Sequence, residues 1–384
     1  MSARLGERER ERLHQTFEAL CRIESPTGDE RACADWITGE LRTLGLSVTE
    51  DDSGPQAGSN AGNLLTRIAG RGPGSIMLCA HMDTVPPAAP VEPVFRDGGW
   101  ENENDGILGA DNKAAIAALI ELARRITGAG APPEAGIELL FTVSEETGLH
   151  GAHAFDVANL RSDVGFVFDH ASPLGEIVVA SPTYQRLTAE IHGRAAHAGL
   201  RPEAGRSAIV AAARAVSAMT LGRLDEETTA NIGTITGGSA ANVVPERCRI
   251  VGEVRGMDHA RVEAALTGMI DALQDAADGG ECDLDVSVEK MFTGYRLRPS
   301  DAAVELAQRA LAACGYGPRL IASGGGSDAN AFQAAGFSCL NLANGTERAH
   351  EAGERVSAVA LEGGLLLAIA LVQEAGARRQ EAAA

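Results

Sequence analysis

The sequence contains few aromatic residues and few positively charged ones. The first shortage limits how its cores can be built, and the second limits which partners it can bind. Phenylalanine, tryptophan and tyrosine make up 4% of the 384 residues, so the cores must be built from aliphatic side chains. Lysine and arginine number 33 against 53 aspartates and glutamates, which gives a formal net charge of −20. Because such a chain repels phosphate backbones and anionic lipid surfaces, we expect no nucleic-acid partner and no membrane partner.

The chain also lacks the patterns of secreted, membrane-bound and thiolate-zinc proteins. Its seven cysteines are odd in number, widely spaced and without a C-x-x-C pair, which predicts reduced, mostly buried thiols. We find no apolar run that approaches the roughly 20 residues of a membrane span. Residues 1–12 are charged and lack the apolar core of a signal peptide. We therefore expect a cytoplasmic protein.

Helical and strand patterns alternate in two separate parts of the chain, and the pattern differs between them. The alternation in residues 1–182 and 296–384 predicts one discontinuous α/β domain with a partly parallel sheet. Residues 183–295 carry the order strand, helix, strand, strand, helix, strand, which predicts a smaller inserted α+β domain. A chain of 384 residues is long enough for this two-domain arrangement.

Glu145 and Glu146 follow the apolar strand predicted over residues 137–143. Neighbouring side chains of a strand point to opposite faces. At the end of a strand, one carboxylate can therefore bind a metal ion while the other moves protons. Adjacency alone does not say which of the two faces the metal.

Metal-competent side chains also end two other predicted strands. His81 and Asp83 follow the run 75–80, and Asp169 ends the strand predicted over residues 164–169. Ligands of open α/β sheets bind at the carboxyl ends of strands, so three such ends predict a binding site. Asp83 can accept the second N–H of His81 and orient its ring.

Two further candidates lie outside the strands. Asp111 opens a strong helical pattern, where a carboxylate can cap the helix or bridge two metal ions. His350 lies in a polar loop after the strand predicted over residues 338–343. A histidine in such a loop can be solvated surface or a metal ligand.

Together these motifs resemble those of the co-catalytic dizinc exopeptidases and amidohydrolases, which include aminoacylase, carboxypeptidase G, succinyl-diaminopimelate desuccinylase and peptidase T. They occur in the family's order over nearly the whole chain: Ala80-His81-Met82-Asp83-Thr84-Val85-Pro86, Gly109-Ala110-Asp111-Asn112-Lys113, Ser144-Glu145-Glu146-Thr147-Gly148, Asp169 and His350-Glu351. The segments 191–199 and 324–330 make the chain most similar to peptidase T-like proteins.

The resemblance implies a zinc-exopeptidase-like α/β/α catalytic domain, with the inserted α+β domain as a lid that also forms a homodimer. It implies two zinc ions, one completed by His81 and Asp169 and the other by Glu146 and His350, with Asp111 bridging both. By the same resemblance Asp83 is a catalytic residue that orients His81, and Glu145 is the general base and acid.

The resemblance also implies substrate-binding residues. His197 resembles a histidine that reaches a neighbouring subunit's active site and stabilises the oxyanion, and a solvated surface position is its alternative. Asn242 resembles a residue that helps to bind substrate, and Arg255 one that binds a substrate carboxylate, a task suited to a guanidinium. A salt bridge to nearby acids is the alternative for Arg255. Gly325 and Ser327 lie in a glycine-rich loop that resembles a pocket lining.

The leading interpretation is a dizinc metallopeptidase, specifically a peptidase T-like aminopeptidase that hydrolyses short peptides. An N-acyl-amino-acid deacylase of the same family is the alternative, and a catalytically inactive peptide-binding protein is the alternative of another class. Cobalt or manganese can replace zinc, since His/carboxylate sites accept several divalent ions. The chain carries neither G-x-S-x-G nor H-E-x-x-H, and residues 324–327 lack the pattern of a phosphate-binding loop.

Overall fold

The computed structural model describes residues 4–72 and 74–383. The chain divides into two compact units. The first comprises the residues up to Val179, Arg296–Ala322 and the residues from Ser327 onward. The second comprises Ala180–Tyr295 and Ser323–Gly326. The four residues Ser323–Gly326 thus belong to the second unit, although the sequence pattern placed them in the α/β domain.

The helices form where apolar residues recur at helical spacing, as in α1, which buries Leu13, Phe17 and Leu20 on one face. The helices are α1 (Glu7–Cys21), α2 (Arg31–Thr43), α3 (Gly54–Ala57), α4 (Ala110–Gly128), α5 (His150–Ala154), α6 (Ala208–Ala218), α7 (His259–Gly279), α8 (Ala302–Ala313), α9 (Asp328–Ala334) and α10 (Ala358–Ala383).

The strands fall between these helices. They are β1 (Val48–Glu50), β2 (Leu64–Ile68), β3 (Ser75–His81), β4 (Pro93–Arg96), β5 (Gly99–Asn102), β6 (Gly136–Thr142), β7 (Val164–His170), β8 (Glu176–Ser181), β9 (Thr183–His192), β10 (Gly222–Arg223), β11 (Thr228–Gly237), β12 (Arg247–Gly256), β13 (Asp283–Phe292), β14 (Tyr295–Arg296), β15 (Arg319–Ala322), β16 (Cys339–Ala343), β17 (Thr346–Glu347) and β18 (Arg355–Ser357).

The large sheet of the first unit contains the strand order β1-β2-β6-β3-β7-β16-β8. Its centre is parallel, because β3 pairs in parallel with both β6 and β7, and β7 pairs in parallel with β16. Every residue of β6 is buried, as is β3 after its first residue, which is typical of strands covered on both faces. The carboxyl ends of these four strands therefore share one edge of the sheet.

Helices cover this sheet. Helix α4 packs against α1 and α10, and α9 packs against β7 and β16. Residues 358–377 of α10 are long and apolar enough to cross a membrane by length and composition, so our expectation that no such run exists was wrong. In the fold 61% of that stretch is buried, and α10 packs against α4 and α8. This is the behaviour of a core helix.

A second, smaller sheet of the first unit has the order β17-β18-β5-β4. Strands β17 and β18 pair with each other in antiparallel fashion, so residues 348–354 form the loop of a hairpin. His350 lies in this loop, and the hairpin is joined to the rest of the small sheet through the pairing of β18 with β5.

The second unit is an antiparallel sheet with the order β10-β11-β12-β9-β13 and two helices, α6 and α7. Buried and less buried residues alternate along β9, as expected for a sheet that is covered on one face. Helix α6 begins at Ala208. Before the helix, Arg206 pairs with Arg194 in an isolated antiparallel β-bridge. The Ser207 hydroxyl accepts the N–H of Val210 and caps the helix.

The cysteines follow the sequence prediction. All seven are free thiols, and all except Cys314 are buried.

Candidate metal centre

His81 is the last residue of β3 and is buried at the carboxyl edge of the large sheet. Its Nδ1 lies 2.9 Å from the carbonyl oxygen of Asp83 and 3.4 Å from the Oδ1 of the same residue. Its Nε2 lies 3.4 Å from Asp111 Oδ1 and 3.4 Å from Asp169 Oδ1. Asp83 therefore holds one ring nitrogen and leaves the other for a ligand shared with the two carboxylates.

A second group forms around His350. Its Nε2 lies 2.9 Å from Glu146 Oε2 and 3.6 Å from Asp111 Oδ2. Asp111 thus directs one oxygen toward His81 and the other toward His350. The structure brings all five sequence-predicted ligands together at one edge of the sheet, with Asp111 between two groups.

The donor set suits divalent metal ions. Donor atoms of His81, Glu145 and Asp169 lie within 4.8 Å of one another, and so do those of His81, Asp111 and Glu146. Asp111 Oδ1 is buried and has no hydrogen-bond partner among the described residues. Imidazole nitrogens and carboxylate oxygens are the ligands that zinc and related ions take. Glu145 is close enough to serve as a donor itself, so distances alone do not separate its role from that of Glu146.

The close approach of these groups shifts their protonation equilibria. Burial lowers the pKa of His81, but the carboxylates of Asp169 and Asp111 outweigh it and raise that pKa well above its usual range. The hydrogen bond to Glu146 raises the pKa of His350 to about 9. Burial raises the pKa of Asp169 to about 6, against the opposing effect of His81. Protons and metal ions therefore compete for the same atoms.

Glu145 has a different environment from a typical surface carboxylate. Burial raises its pKa well above the usual range, and the negative charge of Asp169 raises it further. A carboxylate with a raised pKa is a stronger base, which suits a group that takes a proton and later returns it.

Asp83 contacts the adjacent glutamates Glu145 and Glu146 in addition to His81. Its carboxylate accepts the backbone N–H of Glu145 at 3.0 Å and that of Glu146 at 3.2 Å, and also the hydroxyl of Thr27 at 2.7 Å. Asp83 therefore bonds to a candidate ligand through its backbone carbonyl and fixes the positions of both glutamates through its carboxylate.

Sequence reasoning missed three residues that hold the candidate ligands. Asn112 donates to Asp169 Oδ1 at 3.0 Å, and Asn341 bonds to the backbone N–H and carbonyl of Asp169. Glu354 accepts the backbone N–H of Asp111. Asn112 lies inside a motif that the sequence had already singled out, but the other two carry no local signal.

The peptide bond between Asp111 and Asn112 is cis, and both residues have non-helical backbone angles within α4. The predicted helix is present as α4, but its regular helical geometry begins only after Asn112. Asp111 faces the two histidines.

The candidate substrate residues of the second unit fall into two places. His197 is exposed and forms a bridge with Val243, next to the exposed Asn242, whose carbonyl accepts the N–H of Ala198. Arg255 forms a two-point ion pair with Glu253, with both N–O distances at 3.1 Å, and lies over the ring of Tyr184. The salt-bridge alternative for Arg255 is therefore the state that the structure shows.

The glycine-rich loop has defined structural contacts. The carbonyl of Gly325 accepts the Ser181 hydroxyl at 2.9 Å. Ser327 is buried and forms a capping box with Asn330 at the start of α9. Ser327 thus has a structural role that the sequence did not predict.

Comparison with known proteins places this fold and site in a family. The model of peptidase family M20/M25/M40 matches residues 77–374. The uncharacterized protein YqjE of Bacillus subtilis is 37% identical over 365 residues, which cover 95% of this chain and 98% of that protein.

Two solved structures are similar over nearly the whole chain. The aminopeptidase PepT of Bacillus cereus has a TM-score of 0.84 and 38% identity, with 95% of this chain and 98% of that chain covered. A tripeptidase of Staphylococcus aureus has a TM-score of 0.90 and 34% identity, with 96% and 99% covered.

The chain belongs to peptidase family M20/M25/M40. It is a hydrolase that acts on peptide bonds, and the predicted α/β fold class and the predicted family resemblance are confirmed.

Proposed function

We propose that the protein is a dinuclear zinc aminopeptidase that releases the N-terminal residue from short peptides. The observation that carries the proposal is the position of Asp111, which directs its two oxygens toward His81 and His350. The likeness to an aminopeptidase and a tripeptidase over nearly the whole chain supports the substrate class.

The proposed ligands are His81, Asp111 and Asp169 for one ion and Glu146, Asp111 and His350 for the other. Bound zinc ions would supply an activated water and positive charge for the reacting carbonyl. Asp83 keeps the His81 ring oriented through its Nδ1. Glu145 takes the proton of the attacking water on a carboxylate oxygen and delivers it to the leaving amine.

Substrate recognition is assigned to the second unit and the glycine-rich loop. We assign His197 and Asn242 to the substrate carbonyl and backbone, and Gly325 and Ser327 to the pocket lining. We assign Arg255 to a substrate carboxylate. Because Arg255 is paired with Glu253, substrate must compete with that pair for the guanidinium. The assignment of residues 1–182 and 296–384 as catalytic and 183–295 as lid belongs to the same proposal, except that Ser323–Gly326 belong to the second unit.

We also propose a cytoplasmic homodimer. Most of the large exposed apolar side chains belong to the second unit, among them Val210 of α6 and Ile235 of β11. Beyond its short pairing with β10, the outer edge of β11 is open in the described sheet, and an open edge is a template for pairing with another chain.

Metal analysis and a matched substrate panel test the proposal together. The panel pairs each unblocked tripeptide with its N-acetylated form and adds N-acyl amino acids. We expect two zinc ions per chain, release of the N-terminal residue from unblocked peptides, and little turnover of the acetylated ones. Turnover of acylated substrates alone would instead identify an N-acyl-amino-acid deacylase. Two bound ions with no turnover would favour a peptide-binding protein, and a different ion in protein purified without added metal would change the assigned cofactor to cobalt or manganese.

A further inference from the structure

Glu354 is a buried carboxylate that the catalytic scheme does not use. It is 1% exposed and ends the loop 348–354 that carries His350. Its Oε1 accepts the backbone N–H of Asp111 at 2.8 Å. Its Oε2 accepts those of Leu108 and Gly109, each at 2.8 Å.

These three bonds join two segments that are distant in sequence. The acceptor and its donors are separated by 243 to 246 residues, so Glu354 ties the hairpin loop to the start of α4. Each segment contributes one candidate ligand, His350 from the loop and Asp111 from the helix start. Both carboxylate oxygens are needed, because one accepts the N–H of Asp111 and the other accepts those of Leu108 and Gly109.

A matching tie lies on the other side of Asp111. The next residue, Asn112, donates to the carbonyl of Phe168 at 2.8 Å and to Asp169 Oδ1 at 3.0 Å. Asp111 is therefore fixed from its N-terminal side by Glu354 and from its C-terminal side by Asn112. The first of these ties sets its spacing to His350, and the second sets its spacing to Asp169.

We propose that Glu354 is a positioning residue that holds Asp111 and His350 at the spacing required for the second metal ion. The inference rests on the proposed function, because it takes both residues as metal ligands. A glutamine at position 354 can accept at only one of the two oxygen positions, and its amide group would face a backbone N–H at the other. Residues that orient metal ligands typically change metal affinity about 10–100-fold when they are mutated.

The test compares Glu354→Gln with Glu138→Gln. Glu138 is also buried and accepts two backbone N–H groups, those of Arg161 and Ser162, each at 2.8 Å. It lies in β6 seven residues before Glu145, about 20 Å away along an extended chain. Zinc affinity is measured on the metal-free proteins by competition with a chromogenic chelator, and their melting temperatures are recorded in parallel.

We expect both variants to melt at lower temperature, and only Glu354→Gln to bind zinc at least 10-fold more weakly. Equal zinc affinity in wild type and Glu354→Gln would overturn the inference while leaving the proposed ligands in place. An equal loss of zinc affinity in Glu354→Gln and Glu138→Gln would also overturn the inference. A wild-type chain that binds no zinc would overturn the proposed function and the inference with it.

Hydrogen exchange of the wild-type protein tests the same tie even if Glu354→Gln does not fold. Mass spectrometry of peptides spanning residues 107–112 reports the amides of Leu108, Gly109 and Asp111. In the metal-free protein we expect these amides to exchange slowly, because the bonds to Glu354 do not need a metal. Exchange at the rate of exposed loop amides would show that the tie does not exist in solution and would contradict the proposal.

Discussion

Adjacent residues of the same type acquire different surroundings in this site. Burial raises the pKa of both glutamates, but Glu146 Oε2 lies 2.9 Å from His350 Nε2, which opposes the rise, whereas the charge of Asp169 raises the pKa of Glu145 further. Asp83 accepts the backbone N–H of both glutamates, so their side chains start from fixed positions. One carboxylate of the pair can therefore act as a metal ligand while the other transfers protons.

Replacing Glu145 with glutamine removes the proton acceptor and preserves the volume of the side chain. We expect kcat to fall by about 10²–10⁴-fold, the usual range for a lost general base. Zinc content should stay at the wild-type value. Steady-state kinetics on an unblocked tripeptide and metal analysis of the same sample measure both quantities.

Glu146→Gln is the matched control for this experiment, because it changes the neighbouring residue in the same way. We expect this variant to lose zinc affinity together with activity, since its carboxylate lies 2.9 Å from His350 Nε2. The opposite pattern, in which Glu145→Gln loses zinc and Glu146→Gln keeps it, would reverse the assigned roles.

At the residue scale, the sequence predicted which candidate ligands lie together. It did not predict the side chains that keep those ligands in position. His81, Asp111, Asp169 and His350 belong to recognisable motifs, and the structure brings them together. Glu354 and Asn341 were not predictable, because their partners are backbone groups more than 170 residues away. A bond from a side chain to a distant backbone group leaves no periodic or spacing signal in the sequence.

At the scale of elements, β7 reaches Asp169 through an irregularity in its pairing with β16. Leu342 pairs with Phe168 and the next residue, Ala343, pairs with His170, so Asp169 is passed over. The Asn341 side chain compensates, accepting the N–H of Asp169 at 3.0 Å and donating to its carbonyl at 3.1 Å. Such bulges redirect a side chain at the end of a strand, here a candidate ligand.

Asn341→Leu keeps approximately the same volume and removes both bonds to Asp169. We expect the free energy of unfolding to fall by about 2 kcal/mol or more, since leaving one buried polar group unpaired costs about 1–3 kcal/mol. We also expect weaker zinc binding. Urea unfolding is measured on the metal-free protein, because bound metal would add its own stabilisation.

Thr66→Val is the control, because the Thr66 hydroxyl is buried in the same sheet and donates a single bond to the carbonyl of Ser47. We expect it to cost some stability and to leave zinc affinity unchanged. If Asn341→Leu binds zinc as the wild type does, Asn341 stabilises the strand without positioning Asp169.

Long periodic elements were predictable, and short ones were not. The sequence placed β3 and β7 within one residue of the bounds that the structure shows. It missed β17 and β18, which have two and three residues; β17 pairs only with β18, and β18 pairs with β5. Residues 111 and 112 were expected at a helix start, but their backbone geometry is set by contacts from Glu354 and Asp169 rather than by helical propensity.

At the scale of the whole molecule, apolar exposure is concentrated in the second unit. Val210 is 46% exposed on α6 and Ile235 is 50% exposed on β11. Ile209, next to Val210 on α6, lies beside Gly238, which follows the end of β11, so the helix and the end of that strand approach each other. A surface of this kind was not visible in the sequence, because apolar residues of helices and strands normally indicate the core.

This surface predicts the homodimer, with a mass near twice the 39.8 kDa of the chain by light scattering. Val210→Glu should give a protein of monomer mass, because a charge placed in an apolar contact must be desolvated. Val286→Glu, on the opposite edge strand β13, is the control and should stay dimeric, although Val286 is 36% exposed. A dimer that survives Val210→Glu but dissociates in Val286→Glu would move the contact to β13. If the wild-type protein has monomer mass, the proposed contact between subunits does not exist, and His197 has no second subunit to reach.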